Sequence, residues 1–219
     1  MNAISLISDN IPPLKTSDTG EVVMNWMNEF QVKHLPIVNN EQFLGLISEE
    51  DILDNEPNEP IGSYSLSYYK PYVLDTDHLF TVLKVCAELR LTIVPVVDKE
   101  MNYQGLVPIE NLMYEFARMN AVSEPGGIIV LEVGIKDFYL SEIGRIVESN
   151  DAKILCLYTS SHDDSTKMEL TIKLNRQNIN NVVATFERFD YKVISYYQEQ
   201  DHNDFMKERY DSFIKYMNI

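Results

Sequence analysis

The sequence predicts an α+β chain in which one half-module is made twice and a single βαββαβ unit follows. Three observations carry this. Residues 32–51 read VKHLPIVNNEQFLGLISEED, and residues 91–111 read LTIVPVVDKEMNYQGLVPIEN. Pro36 matches Pro95 and Val38 matches Val97 at an offset of 59, while Gly45 matches Gly105 at an offset of 60. The slip of one falls in a polar turn, at 39–42 in the first copy and 98–103 in the second, where insertions are tolerated. A breaker cluster, Ser123-Glu124-Pro125-Gly126-Gly127, then ends the doubled region and the pattern changes.

Each copy opens on a turn, Thr16-Ser17-Asp18 or Asp75-Thr76-Asp77. Asp18 and Asp77 stand where an N-cap or first-turn carboxylate supports a helix. Val22, Val23, Trp26, Met27 and Phe30 follow at helical spacing, as do Leu79, Val82, Leu83, Cys86 and Leu89 in the second copy. Two short β-rich segments come next, LPIV and FLGLI, then VPVV and YQGLV, and another helix begins after each pair. A strand–helix–strand–strand–helix unit found twice implies two half-modules about a pseudo-two-fold axis. The doubled region takes in residues 1–123, with the first copy at about 11–54 and the second at about 71–120. Residues 54–69, rich in Pro, Ser and Tyr, read as a connecting arm.

Beyond the breaker, strands are expected at 128–133, 153–158, 168–174 and 191–196, with helices at 140–148 and 179–189. This order, spanning 126–198, is the ferredoxin-like arrangement. Residues 199–219 carry Met206, Tyr210, Phe213, Ile214 and Met217 on one face of an amphipathic helix, which must cover either the sheet or a partner chain.

Composition excludes several classes of function. A hydrophobic fraction of 45% suits packed cores. No apolar run approaches the roughly 20 residues that span a bilayer. No basic start followed by a long apolar stretch marks a secretory signal, so a cytoplasmic location is expected. Cys86 and Cys156 are isolated in apolar sequence and read as two buried thiols. The net charge of −16 argues against nucleic acid, which demands a positive surface. Residues 1–60 alone hold 11 acidic against 2 basic side chains, so an anionic ligand there needs local positive groups.

The doubled unit, with its x-L-P-x-V strand and its Gly45-Leu-Ile-Ser48-x-x-Asp51 ending, resembles a tandem cystathionine-β-synthase (CBS) domain pair. The βαββαβ unit resembles an ACT domain, and the combination is similar to acetoin-utilisation-type regulatory proteins. The resemblance implies an adenosine-containing nucleotide in a cleft between the copies: AMP, ADP, ATP or S-adenosylmethionine as a regulatory ligand, with no cofactor required. It assigns Asp51 to the ribose hydroxyls, Ser48 to a phosphate, Gly45 to close backbone approach, and Lys33 and His34 to the neighbourhood of the phosphates. It implies a homodimer and an unknown protein partner.

Elementary chemistry agrees that a carboxylate accepts two hydroxyl donors and that a helix N-terminus favours a phosphate. Ser48-Glu49-Glu50-Asp51 is equally a helix start, close to a capping box, which needs no ligand. Glu49 and Glu50 place like charge beside any phosphate, which favours AMP or S-adenosylmethionine over ATP without magnesium. The second copy has Thr92, Ile93, Pro108 and Asn111 where the first has Lys33, His34, Ser48 and Asp51, so one functional site at most is expected. The ACT-like unit departs from its family as well: Asp137-Phe138-Tyr139-Leu140 keeps the Asp of Asp-x-Pro-Gly and loses the Pro-Gly, which leaves Asp137 as a turn or cap residue. Tyr64, Tyr68, Tyr69 and Tyr72 read either as an adenine-stacking cluster or as packing around the arm.

Catalysis finds no constellation. The four His residues have no metal-type spacing, and neither a phosphate-binding Gly-rich loop nor a nucleophile elbow is present. The sequence leaves two functions: a non-catalytic nucleotide sensor, or a structural scaffold with both sites vestigial.

Overall fold

Apolar residues at helical and strand spacing bury one face of each element, and the two copies do so at equivalent positions. The computed structural model describes residues 1–67, 70–136 and 138–198. The first copy contains α1 (Gly20–Phe30), the hairpin of β1 (His34–Asn39) and β2 (Gln42–Ser48), and α2 (Glu49–Leu53). The second contains β3 (Val73–Leu74), α3 (Leu79–Glu88), the hairpin of β4 (Ile93–Val97) and β5 (Tyr103–Pro108), and α4 (Ile109–Met119).

The hairpins share one register. Ile37 pairs with Gly45, and then a bulge lets Val38 pair with Phe43; Val96 pairs with Gly105, and the same bulge lets Val97 pair with Tyr103. The extra residue of the second copy therefore lies wholly in the turn. Val23, Met27, Leu35, Ile37, Leu46, Ile47 and Ile52 share one core with their counterparts Val82, Cys86, Val94, Val96, Leu106, Val107 and Leu112. Burial of each such side chain contributes about 1.5–3 kcal/mol, so the core is what holds the copies together.

The first strand of the repeat is shorter than the sequence suggests. In the second copy it is two residues, Val73 and Leu74, parallel to β4; in the first it shrinks to a single parallel bridge between Leu14 and Ile37. Asp18 and Asp77 do not cap their helices. Asp18 accepts from the Lys15 N–H at 2.7 Å and Asp77 from the Leu74 N–H at 2.8 Å, closing the turn upstream. The N-cap positions fall one residue later, at Thr19 and His78.

The pseudo-two-fold axis can be located residue by residue. Gln42 bridges its own counterpart, Asn102. On either side, Phe43 N–H donates to Met101 O at 3.2 Å and Tyr103 N–H donates to Glu41 O at 2.6 Å.

The chain divides into two compact units, Met1–Phe116 and Ala117–Ile219. That division falls inside α4, ahead of the breaker cluster at 123–127 where the sequence places it. The second unit runs β6 (Ile128–Gly134), α5 (Leu140–Glu148), β7 (Ile154–Ser161), β8 (Lys167–Leu174), α6 (Asn180–Arg188) and β9 (Lys192–Tyr197). Its sheet has the order β7-β8-β6-β9 with every neighbour antiparallel. Ile129, Leu131 and Val133 of β6 alternate inward against Ile143, Ile146 and Val147 of α5 and Val182, Val183 and Phe186 of α6. Gly126 enters β6 alongside the end of β8, where a Cβ would lie 1.8 Å from Leu174 O. Only glycine passes there, which gives the breaker cluster a packing reason. The amphipathic helix expected at 199–219, Tyr68, Tyr69 and Asp137 lie outside the described residues.

Candidate functional site

Four of the five expected site residues gather at the start of α2 and the edge of β1. Ser48 is the N-cap of α2, and its hydroxyl accepts from the Asp51 N–H at 3.1 Å. Asp51 Oδ2 accepts from the Ser48 N–H and the Ser48 hydroxyl, each at 2.8 Å, completing a capping box. The other carboxylate oxygen, Oδ1, accepts from the N–H of Ser67 at 2.8 Å and from its hydroxyl. A carboxylate offers about four acceptor directions, and all four are taken here. Asp51 is 2% exposed. Burial opposes its charge, but the bonds from Ser67 and Ser48 outweigh it and hold the carboxyl below its ordinary range. At only five residues, α2 supplies little dipole, so the phosphate-favouring potential expected of a helix N-terminus is weak here.

His34 is buried at 6% exposure. Its Nδ1 accepts from the Thr92 N–H at 3.2 Å and lies 3.0 Å from the Thr92 hydroxyl. That arrangement suits a neutral ring protonated on Nε2. Lys33 and its counterpart Thr92 meet directly, with the Lys33 N–H donating to Thr92 Oγ1 at 2.9 Å. Thr92, which in the sequence marks a lost basic residue, is thus the group that holds His34 in place. The Lys33 ammonium points to the exposed surface and pairs with Glu49 at 3.3 Å. Gly45 is buried, and a Cβ on it would lie 3.0 Å from Leu66 Cδ1.

Burial, reinforced by the Lys33 charge and opposed by Asp51, pushes the His34 pKa below its ordinary 6.5. A depressed folded-state value means that stability is complete above the unfolded value and is lost as pH falls below it. Wild-type protein should therefore lose stability from about pH 6.5 downward. His34→Asn, which keeps an acceptor for the Thr92 N–H, should flatten that slope in urea midpoints measured from pH 7.5 to 5; an unchanged slope would exclude His34 as its source.

The serine on Asp51 comes from a segment the sequence reads as a connecting arm. The structure assigns it to the repeat. The 3₁₀ turn Ala3–Leu6 has a counterpart in Ile61–Ser63, and Ile7, Ser8 and Pro12 correspond to Leu66, Ser67 and Pro71 at the offset of 59. Ile7 packs on Gly105 as Leu66 packs on Gly45. The correspondence between the copies thus extends upstream to about residue 2, and each copy carries its own strap ahead of its first strand. The Ile7-Ser8/Leu66-Ser67 pairs were the available signal. Tyr64 is not part of the site: it is buried, with its hydroxyl donating to Glu56 O at 2.6 Å.

The strap that lies on the second copy, residues 3–8, sits differently from the one on the first. Ser8 N–H donates to Leu106 O at 2.9 Å, and the Asn111 amide donates to Leu6 O at 3.0 Å. A cavity of about 230 Å³ remains, lined by Ser8, Asn10, Phe30, Thr92, Pro108 and Asn111 among others. Its lining contains Glu110 and no basic side chain. In the second unit a cavity of about 280 Å³ is lined by Glu132, Glu142, Asp190 and Tyr191 among others, with Glu132 itself paired to Lys167 and Lys192. Among the described residues no group of three His, Cys, Asp or Glu is placed to hold a metal ion, and no helix is long and apolar enough to cross a membrane.

The geometry defines a doubled α/β module, with a buried polar cluster at the start of the closing helix in the first copy and a cavity at the equivalent place in the second. Residues 4–58 match the family model of the CBS domain. With the registers repeated in the second copy, the match supports a CBS-domain pair fold for the first unit. Among solved structures, the chain is similar to a CBS domain pair/ACT domain protein from Thermotoga maritima, at 21% identity over 54% of this chain and 98% of that one, with a TM-score of 0.49. It is also similar to the CBS domains of a transcriptional regulator from Streptococcus pneumoniae, at 19% identity over 52% and 98% with a TM-score of 0.46. A third, CBSX2 in complex with AMP, gives 18% identity over 53% and 96% with a TM-score of 0.45.

Proposed function

We propose that the chain is a non-catalytic, cytoplasmic regulatory protein whose first copy binds an adenosine-containing nucleotide, with Asp51 as the ribose acceptor. The observation that carries this is the state of Asp51 Oδ1. It belongs to a buried, ionised carboxylate, and it accepts an N–H and an O–H donor from outside its own helix. A ribose diol presents two donors to such an oxygen. Ser48 and His34 lie beside it, and Lys33, already paired with Glu49, is the cation available to a phosphate. One such cation amid Glu49 and Glu50 favours AMP or S-adenosylmethionine over ATP. The βαββαβ order of the second unit supports a ferredoxin-like, ACT-type reading, with homodimerisation as its role and a protein partner downstream.

The capping box supports a second reading, a structural scaffold in which the cleft is vestigial, because Ser48 and Asp51 already satisfy each other. Calorimetry of the full chain with AMP, ADP, ATP and S-adenosylmethionine separates the two. The sensor reading expects at least one to bind, with binding abolished in Asp51→Asn and kept in Asn111→Ala. Binding lost only in Asn111→Ala moves the ligand to the second-copy cavity. No heat with any of them leaves the scaffold, in which Ser48→Ala costs only about 1 kcal/mol of stability.

A further inference from the structure

The two straps of the repeat stand in different positions on equivalent surfaces. Ser8 pairs with the strand residue Leu106, and a cavity lies open beside Asn111. Ser67, its counterpart, turns instead onto Asp51, with both its N–H and its hydroxyl on one carboxylate oxygen. Ser67 is exposed and outside any helix or strand, whereas the Ser48 donors on Oδ2 belong to the helix cap itself. Of the two serines, Ser67 is the one that can leave without unwinding an element. The second copy shows a place where the strap can go: against the strand, at the position equivalent to Leu46.

We propose that Ser67 is an internal competitor for the sugar at Asp51, so that a ligand enters only by supplying a vicinal diol that replaces both Ser67 donors. This rests on the nucleotide reading above. Ser67 sets both affinity and selectivity: it lowers the affinity of every ligand by the occupancy it must surrender, and it penalises a ligand that brings one donor in place of two. Burial keeps Asp51 from being left unsatisfied in either state, since an unpaired buried carboxylate is costly.

Equilibrium dialysis of the full chain with AMP tests this in wild type, Ser67→Ala and Ser67→Thr. Removing the hydroxyl should tighten AMP binding about tenfold, the size expected for losing one charge-assisted hydrogen bond from the empty state. Ser67→Thr, which keeps the hydroxyl, should bind as wild type does and shows that the strap still folds. AMP bound equally by wild type and Ser67→Ala overturns the competition and leaves the nucleotide reading standing. AMP bound by neither overturns both.

Discussion

Asp51→Ala should lower the stability of the chain by about 3 kcal/mol, seen as a shift of the urea midpoint at pH 7.5. The carboxylate closes a capping box with Ser48, a device worth about 1 kcal/mol by itself. Its loss also strands the buried Ser48 donors and releases the strap at Ser67, each adding on the order of 1 kcal/mol. Asn111, at the equivalent place, makes one amide bond to Leu6 O, and Asn111→Ala should cost about 1 kcal/mol. Equal losses in the two variants would mean that the copies are chemically alike at this point, contrary to the contacts described.

Gly105→Ala should cost about 3 kcal/mol, while its counterpart Gly45→Ala should cost under about 1 kcal/mol. Gly105 has φ +148°, a region closed to residues with a Cβ, and a Cβ there would lie 2.5 Å from Ile7 Cγ2. Gly45 lies outside the positive-φ region, and its Cβ would meet only the flexible end of Leu66 at 3.0 Å. The comparison can be read from the thermal midpoints of the two variants. A Gly45→Ala variant as unstable as Gly105→Ala would show that the Leu66–Ser67 strap cannot move, which would also weaken the role given to Ser67.

The doubled fold was legible because its punctuation is chemical. Pro36 and Pro95 sit on equivalent strands, and the unequal turn is the only place where the hairpins differ in length. The strands and helices of the second unit stand out for the same reason, as Ile129, Leu131 and Val133 alternate and Ile143, Ile146 and Val147 recur at helical spacing. The straps were harder to see. Ala3–Leu6 and Ile61–Ser63 are single 3₁₀ turns with no hydrophobic period, and a Pro- and Tyr-rich segment looks like a linker whether or not it packs. At the site, Ser48 and Asp51 were legible as a pair, but their partner Ser67 is 16 residues from Asp51 and nothing local points to it. Thr92 is the counterpart of Lys33 in the repeat and, across the pseudo-two-fold axis, also a contact of Lys33 and His34, which its place in the sequence does not reveal. Position in a repeat gives equivalence; only the axis gives adjacency.

The central claim is that the copies share a fold and differ in chemistry, with Asp51 as the ligand acceptor. The most direct measurement is a crystal structure of the full chain grown with AMP. Ribose hydroxyls are expected on Asp51 Oδ1, with Ser67 withdrawn from the carboxylate. AMP seated against Asn111 in the second-copy cavity, or Ser67 still on Asp51 at saturating AMP, would contradict it.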